Sequence, residues 1–189
     1  MCEDSKIGIS LIFTLQNGIE YMRERNAGFT AGLTTSVTFA GLSLEGTILL
    51  PVVKNESQIK NEKAAMDNRQ ILLNAARNGD QTAIETLTLD DIDTYSKVTR
   101  RLMTEDVFSI VDTYFMPYGA ECDMYSIMGE ILAVRKRSNI ITGTEVYQMK
   151  LNVNGLKFDI CVPSDSVMGE PEIGRRFKGT IWLQGYINF

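Results

Sequence analysis

The chain has 189 residues, 44% of them apolar, with 19 Lys and Arg against 24 Asp and Glu. That is enough apolar material for one large core or two small ones, and it excludes disorder over the whole length. No apolar run approaches the ~20 residues that cross a bilayer, and Met1-Cys2-Glu3-Asp4 is not a basic region followed by an apolar one, so no membrane segment or secretory leader is expected and the cytoplasm is the expected compartment.

Histidine is absent, and the three cysteines, Cys2, Cys122 and Cys161, include no Cys-x-x-Cys pair. This removes Ser/His/Asp and Cys/His catalysis, His-ligated metals and a disulfide framework. An enzyme is left with carboxylate, lysine or tyrosine chemistry, so the expectation leans away from catalysis.

From Ile7 the apolar side chains alternate as Ile7, Ile9, Leu11, Phe13 and Leu15, the period of a strand with one buried face, predicting a strand over 6–15. Asn17 is expected to cap a short helix over 17–25 that stops at Asn26-Ala27-Gly28. The β-branched residues that follow, broken by the Ser43 to Gly46 turn, predict strands over 34–42 and 46–52. Helix formers then take over. Asn55 opens a helix over 55–78 that Asn78-Gly79 stops, and a short helix over 80–87 starts at Asp80. Further helices are predicted over 90–104 and, from the spacing of Val107, Ile110, Val111, Tyr114 and Phe115, over 106–115. Asp90, Asp91 and Asp93 at the front of the helix over 90–104 make a local helix-turn-helix a poor reader of DNA. Met116-Pro117-Tyr118-Gly119 punctuates the chain. The expected division is an α+β region over 1–119 and a β subdomain over 124–189.

The clearest local signal is Asn154-Gly155 between two alternating arms, a β-hairpin on a type I′ turn. A two-residue turn sets Val153 opposite Leu156, Leu151 opposite Phe158, Met149 opposite Ile160 and Tyr147 opposite Val162, with Lys150 facing Asp159 on the other side. Upstream, 127–137 reads as a strand apolar on both faces that bends at Gly129. Downstream, Phe177, Ile181, Leu183 and Ile187 share one parity and Lys178, Trp182 and Tyr186 the other, in one long strand bent at glycines or in two around Gln184-Gly185. A bent strand, a hairpin and a closing strand resemble a small barrel of the oligonucleotide/oligosaccharide-binding (OB) type. Its fifth strand must come from splitting the last segment or from elsewhere in the chain.

Several stretches together carry a family resemblance: Gly-Ile-Ser-Leu-Ile-Phe from Gly8, Gly41-Leu42-Ser43-Leu44-Glu45-Gly46, Ala76-Arg77-Asn78-Gly79-Asp80, Asp106-Val107-Phe108-Ser109-Ile110-Val111-Asp112, and the run from Gly169-Glu170-Pro171-Glu172-Ile173-Gly174 to Trp182-Leu183-Gln184-Gly185. Over nearly its whole length the chain resembles a domain-of-unknown-function family of Gram-positive anaerobic bacteria. The resemblance implies no activity, cofactor or catalytic residue. It does imply further residues ahead of the position of Gly8 in other members, and so a shortened chain here.

Charge is uneven, since residues 124–189 carry eight basic and six acidic side chains and residues 1–123 carry 11 and 18. A mildly basic barrel with outward aromatics is the arrangement that stacks single-stranded nucleic acid, which makes Trp182, Tyr186, Lys178, Arg135, Arg137, Arg175 and Arg176 the candidate binding residues. Against this, Trp182 and Tyr186 are equally suited to packing on the N-terminal region, and an acidic chain is a poor polyanion binder. Asp90, Asp91, Asp93, Glu121 and Asp123 match no calcium-loop spacing, and acids at a helix start are explained by its dipole, so no metal or cofactor is called for. Gly169 to Gly174 carries Glu170 and Glu172 and reads as a turn, not a phosphate cradle. The leading expectation is a non-enzymatic binding or scaffolding module for a protein partner or a second copy. Single-stranded nucleic-acid binding comes second and a histidine-free enzyme third.

Overall fold

In the computed structural model, which describes residues 2–4, 9–28, 35–52, 56–102 and 107–189, the strands of the main sheet come from both ends of the chain. The N-terminal part supplies β1 (Cys2–Asp4), β2 (Ile9–Leu11), β3 (Thr14–Leu15), helix α1 (Gly18–Asn26), β4 (Ser36–Leu42) and β5 (Gly46–Leu49). Helices α2 (Glu56–Arg77), α3 (Gln81–Leu102) and the single turn α4 (Val107–Ile110) follow. The remainder is β6 (Tyr114–Pro117), β7 (Met124–Ser138), β8 (Glu145–Val153), β9 (Leu156–Pro163), β10 (Val167–Met168) and β11 (Arg176–Asn188). The protein is α+β, with a large mixed sheet. Expectations for 6–8, Thr34, Asn55 and 103–106 lie outside the described residues.

Contacts divide the chain into two compact units, Met1–Pro51 with Thr113–Phe189, and Val52–Asp112, whereas the sequence placed its boundary near 119–124. The physical reason is strand pairing. β4 lies antiparallel to the end of β11, with Leu183 on Gly41 and Asn188 on Ser36, and parallel to β9, with Gly41 on Ile160. β11 in turn pairs antiparallel with β7, from Arg176 on Glu130 to Trp182 on Met124. With the β7–β8 and β8–β9 hairpins, the pairings run β7, β8, β9, β4, β11 and back to β7.

The Asn154-Gly155 hairpin has the predicted register throughout, including Leu151 on Phe158 and Lys150 on Asp159. Both turn residues have positive φ, 51° and 86°, as a type I′ turn requires. Met149, Leu151, Val153, Phe158, Ile160 and Val162 are all buried, and they meet Leu11, Tyr125, Ile127, Ile131, Phe177, Ile181 and Leu183 in one core. β11 is one continuous strand that changes partner between Trp182 and Leu183. β7 changes register between Ile131 and Ala133, not at Gly129. Gly129 is where Val153 packs, since a Cβ there would stand 2.5 Å from Val153 Cγ2.

Three local expectations differ from the structure. The first strand is split into β2 and β3 because the Ile12 N–H donates to Tyr125 Oη at 2.8 Å and the same hydroxyl donates to the Ile12 carbonyl at 3.1 Å, taking residue 12 out of a ladder. The helices placed over 80–87 and 90–104 are one helix, α3, which Asp80 starts by accepting from the Thr82 and Ala83 N–H groups and which contains no Gly or Pro. The helix placed over 106–115 is only α4, and Tyr114 to Pro117 is a strand paired with β7, as the β-forming residues there favour. In the unit Val52–Asp112, α2 and α3 form a helical hairpin over Asn78-Gly79, with Gly79 at φ 88°.

Candidate functional site

Trp182 and Tyr186 stand on the outer face of β11, four residues apart and 40% and 45% exposed. Their polar edges are both taken up by other side chains of the protein. Trp182 Nε1 donates to Asp123 Oδ2 at 2.7 Å and to Thr14 Oγ1 at 3.2 Å, and Thr14 Oγ1 itself donates to the same Asp123 oxygen at 2.7 Å. The Thr14 hydrogen bond, and next that of Trp182, hold the Asp123 carboxyl below its ordinary value. Tyr186 Oη donates to Glu20 Oε2 at 3.1 Å, and the Glu20 contact pushes the phenol above its ordinary value.

Asn17 binds this corner together, although it does not cap α1 as expected. Its buried amide accepts from the Ile187 N–H at 3.0 Å and donates to the Ile187 carbonyl at 2.8 Å, as a neighbouring strand would, and also donates to Glu20. β3 continues the contact by pairing parallel with β11 at Gln184 and Gly185. The family model described as "Domain of unknown function, E. rectale Gene description (DUF3881)" matches residues 1–185. The chain belongs to this family. No curated protein and no solved structure matches it.

The other expected site residues of this DUF3881 protein have separate settings. Arg176 is 5% exposed, its Nε donates to the Leu50 carbonyl at 3.0 Å, and its Nη1 approaches Met128 Sδ at 3.9 Å, so its side chain faces the interior, whereas the sequence had it outward. Arg175 is tied within its own turn, to the Glu170 carbonyl and to the Glu172 carboxylate, each at 2.8 Å. Lys178 lines a polar cleft of about 340 Å³ with Glu45, Thr47, Ser126, Ser166 and Thr180. Arg135 and Arg137 are exposed on the far arm of β7. Between them, Lys136 pairs with Glu145 at 2.6 Å, which raises its pKa, and its ammonium lies 5.9 Å from the Tyr147 ring centre. Among the described residues no group of three or more carboxylate or thiol side chains comes together to hold a metal. Cys122 and Cys161 carry free thiols, that of Cys161 raised by burial. No described helix of the DUF3881 chain is long and apolar enough to cross a membrane.

The sequence reading missed the tip of the β7–β8 hairpin. Ile140 and Ile141 are 100% and 94% exposed there. The turn that carries them is built by hydrogen bonds from the Ile141 and Thr142 N–H groups to Asn139 Oδ1, from the Gly143 N–H to the Asn139 carbonyl, and from the Asn139 N–H to the Thr144 carbonyl. The available signal was an apolar pair inside Asn-Ile-Ile-Thr-Gly-Thr, a segment otherwise made of turn formers.

Proposed function

We propose that this DUF3881 protein is a non-enzymatic bacterial cytoplasmic binding module, an OB-like barrel of β7, β8, β9, β4 and β11 that engages a protein partner through its β7–β8 tip. The cyclic order of pairings supports the barrel: the strand that completes β7, β8, β9 and β11 is β4, which comes ahead of them in the chain and stands between β9 and β11. The observation that carries the binding surface is the pair Ile140 and Ile141, held in water by a hydrogen-bonded turn and flanked by Arg135 and Arg137. Isolated apolar side chains on a surface need no explanation, whereas an adjacent pair fixed at a protruding tip beside basic groups has the apolar centre and polar rim of an interface. A photo-crosslinking residue at position 141 is expected to trap a discrete protein product in cells, lost when Arg135 and Arg137 are changed to Glu. No product, or the same products from a probe at exposed Gln148 on β8, refutes the reading.

Nucleic acid is the second reading, favoured by the barrel order and by exposed Arg135 and Arg137. It ranks lower because the outer face of β8 and β9, the oligonucleotide face of an OB barrel, presents Gln148, Lys150, Asn152, Lys157 and Asp159 and no aromatic ring. Trp182 and Tyr186 have their polar edges bound to the chain's own residues. Steeply salt-dependent binding of a labelled oligonucleotide, weakened by Trp182→Ala, would reverse the ranking.

A further inference from the structure

The helical unit presents a second, different surface. Helix α3 buries Ala83 and Leu87. Its other side exposes Ile84, Leu89, Ile92 and Tyr95, at 41%, 67%, 58% and 75%. At about 100° per residue these positions, with Thr88, Thr99 and Ser96 between them, form one face whose only charged member, Glu85, falls between Ile92 and Leu89.

The hydroxyls of this face bond back to their own helix. Thr88, Ser96 and Thr99 donate to the carbonyls of Ile84, Ile92 and Tyr95, four residues back, at 2.8, 2.9 and 2.8 Å. A back-bonded hydroxyl has its donor satisfied inside its own helix, so the face can be covered without orphaning a polar group. Among the described residues of Val52–Asp112, the buried apolar side chains are Ala83 and Leu87, both on the other side of α3.

We propose that the exposed face of α3 pairs with the α3 face of a second copy of this chain, antiparallel about a two-fold axis near Leu89 and Ile92, joining two helical hairpins into a four-helix layer. Charge selects the second copy and the direction. Glu85 lies on the N-terminal half of the face and exposed Arg100 flanks its C-terminal end. An antiparallel two-fold pairing brings each Glu85 within a turn of the other copy's Arg100 and sets Ile84 near Tyr95, whereas a parallel pairing would place Glu85 on Glu85 and Arg100 on Arg100. Four-helix bundles assembled from two helical hairpins use this geometry.

The test is sedimentation equilibrium of the full chain. The wild type is expected to dimerise, and Ile92→Glu, at a position exposed in the single chain, to raise the dissociation constant on the order of tenfold or more with unchanged far-UV circular dichroism. Glu85→Arg and Arg100→Glu should each weaken the dimer, and the double variant Glu85→Arg/Arg100→Glu should restore it. A wild-type monomer at all concentrations up to roughly 100 µM, where a micromolar interface would be filled, overturns the proposal. So does a dimer that survives Ile92→Glu, one that the double charge exchange fails to restore, or one that is lost with Ile140→Ser and Ile141→Ser. That last outcome would assign self-association to the β7–β8 tip.

Discussion

Replacing Asp123 by Ala tests whether the Trp182 corner is held by its carboxylate. Asp123 Oδ2 accepts from Thr14 and from Trp182, each at 2.7 Å, and so ties together three segments separated by 109 and 59 residues. A hydrogen bond to a charged group contributes ~1.5–3 kcal/mol when shielded from water. This corner is half in water, which reduces each to roughly 0.5–1 kcal/mol, and Trp182 retains Thr14 as a weaker acceptor, so the expected loss is about 1–2 kcal/mol. At ~2–4 °C per kcal/mol for a chain of this size, the melting temperature falls by about 2–8 °C. Trp182 is the single tryptophan of the chain, so its fluorescence reports on this corner alone. Its emission should shift to the red and iodide quenching should increase in the variant. The pH dependence has a definite sign. The folded Asp123 carboxyl titrates below its ordinary value of 3.8, so its contribution is complete above that pH and is lost as pH falls through the lower folded value. The stability difference between wild type and Asp123→Asn should therefore shrink below pH ~4. An unchanged urea midpoint and emission at pH 7, or a difference that grows on acidification, would refute the reasoning.

Gly155→Val, at φ 86°, should destabilise the protein by on the order of 1 kcal/mol or more in urea titration, and no loss would count against the type I′ turn. Gly185→Ala places a methyl 2.4 Å from Phe13 Cδ2, where the ring must move; the expected cost is about 1–3 kcal/mol, together with faster hydrogen exchange of the Gln16 amide that now donates to Gly185. Arg176→Ala leaves the Leu50 carbonyl without its guanidinium donor and should cost roughly 2–3 kcal/mol in thermal unfolding; a neutral result would show that the residue is not needed inside. Tyr186 should ionise above the ordinary value of 10.0 in ultraviolet titration and return to it in Glu20→Gln, so its small contribution holds below pH 10 and is lost as pH rises further.

The hairpin on Asn154-Gly155 was legible because two independent signals, turn chemistry and side-chain parity, specify the same register. The role of β4 was not legible. It pairs with β9 and β11, more than 110 residues away, and a parallel contact leaves no local turn or spacing behind. Tyr114 and Phe115 met the helical spacing rule, yet their β preference and a free edge on β7 decided the outcome. Arg176 followed Arg175 in a basic run and read as surface; pairing with both Leu49 and Glu130 sets it in the middle of the sheet. Asn17 read correctly as the start of a helix, but its amide serves β11, a partner 170 residues on. The outward parity of Trp182 and Tyr186 was readable, whereas their hydrogen-bonded partners Asp123, Thr14 and Glu20 were set by tertiary contacts.

The pairing of β4 with Leu183 to Asn188 sets an order of events during translation. The first-made strand of the ring must wait for residues made roughly 150 positions later, which at ~5–20 residues per second is about 8–30 s on the ribosome. Until Pro163 is made β4 has neither of its native neighbours complete, and β11 follows only after that. A nascent chain is therefore exposed to edge-to-edge pairing for most of its synthesis. Loss of residues 183–189 would leave β4 unable to find the partner that joins it to β7.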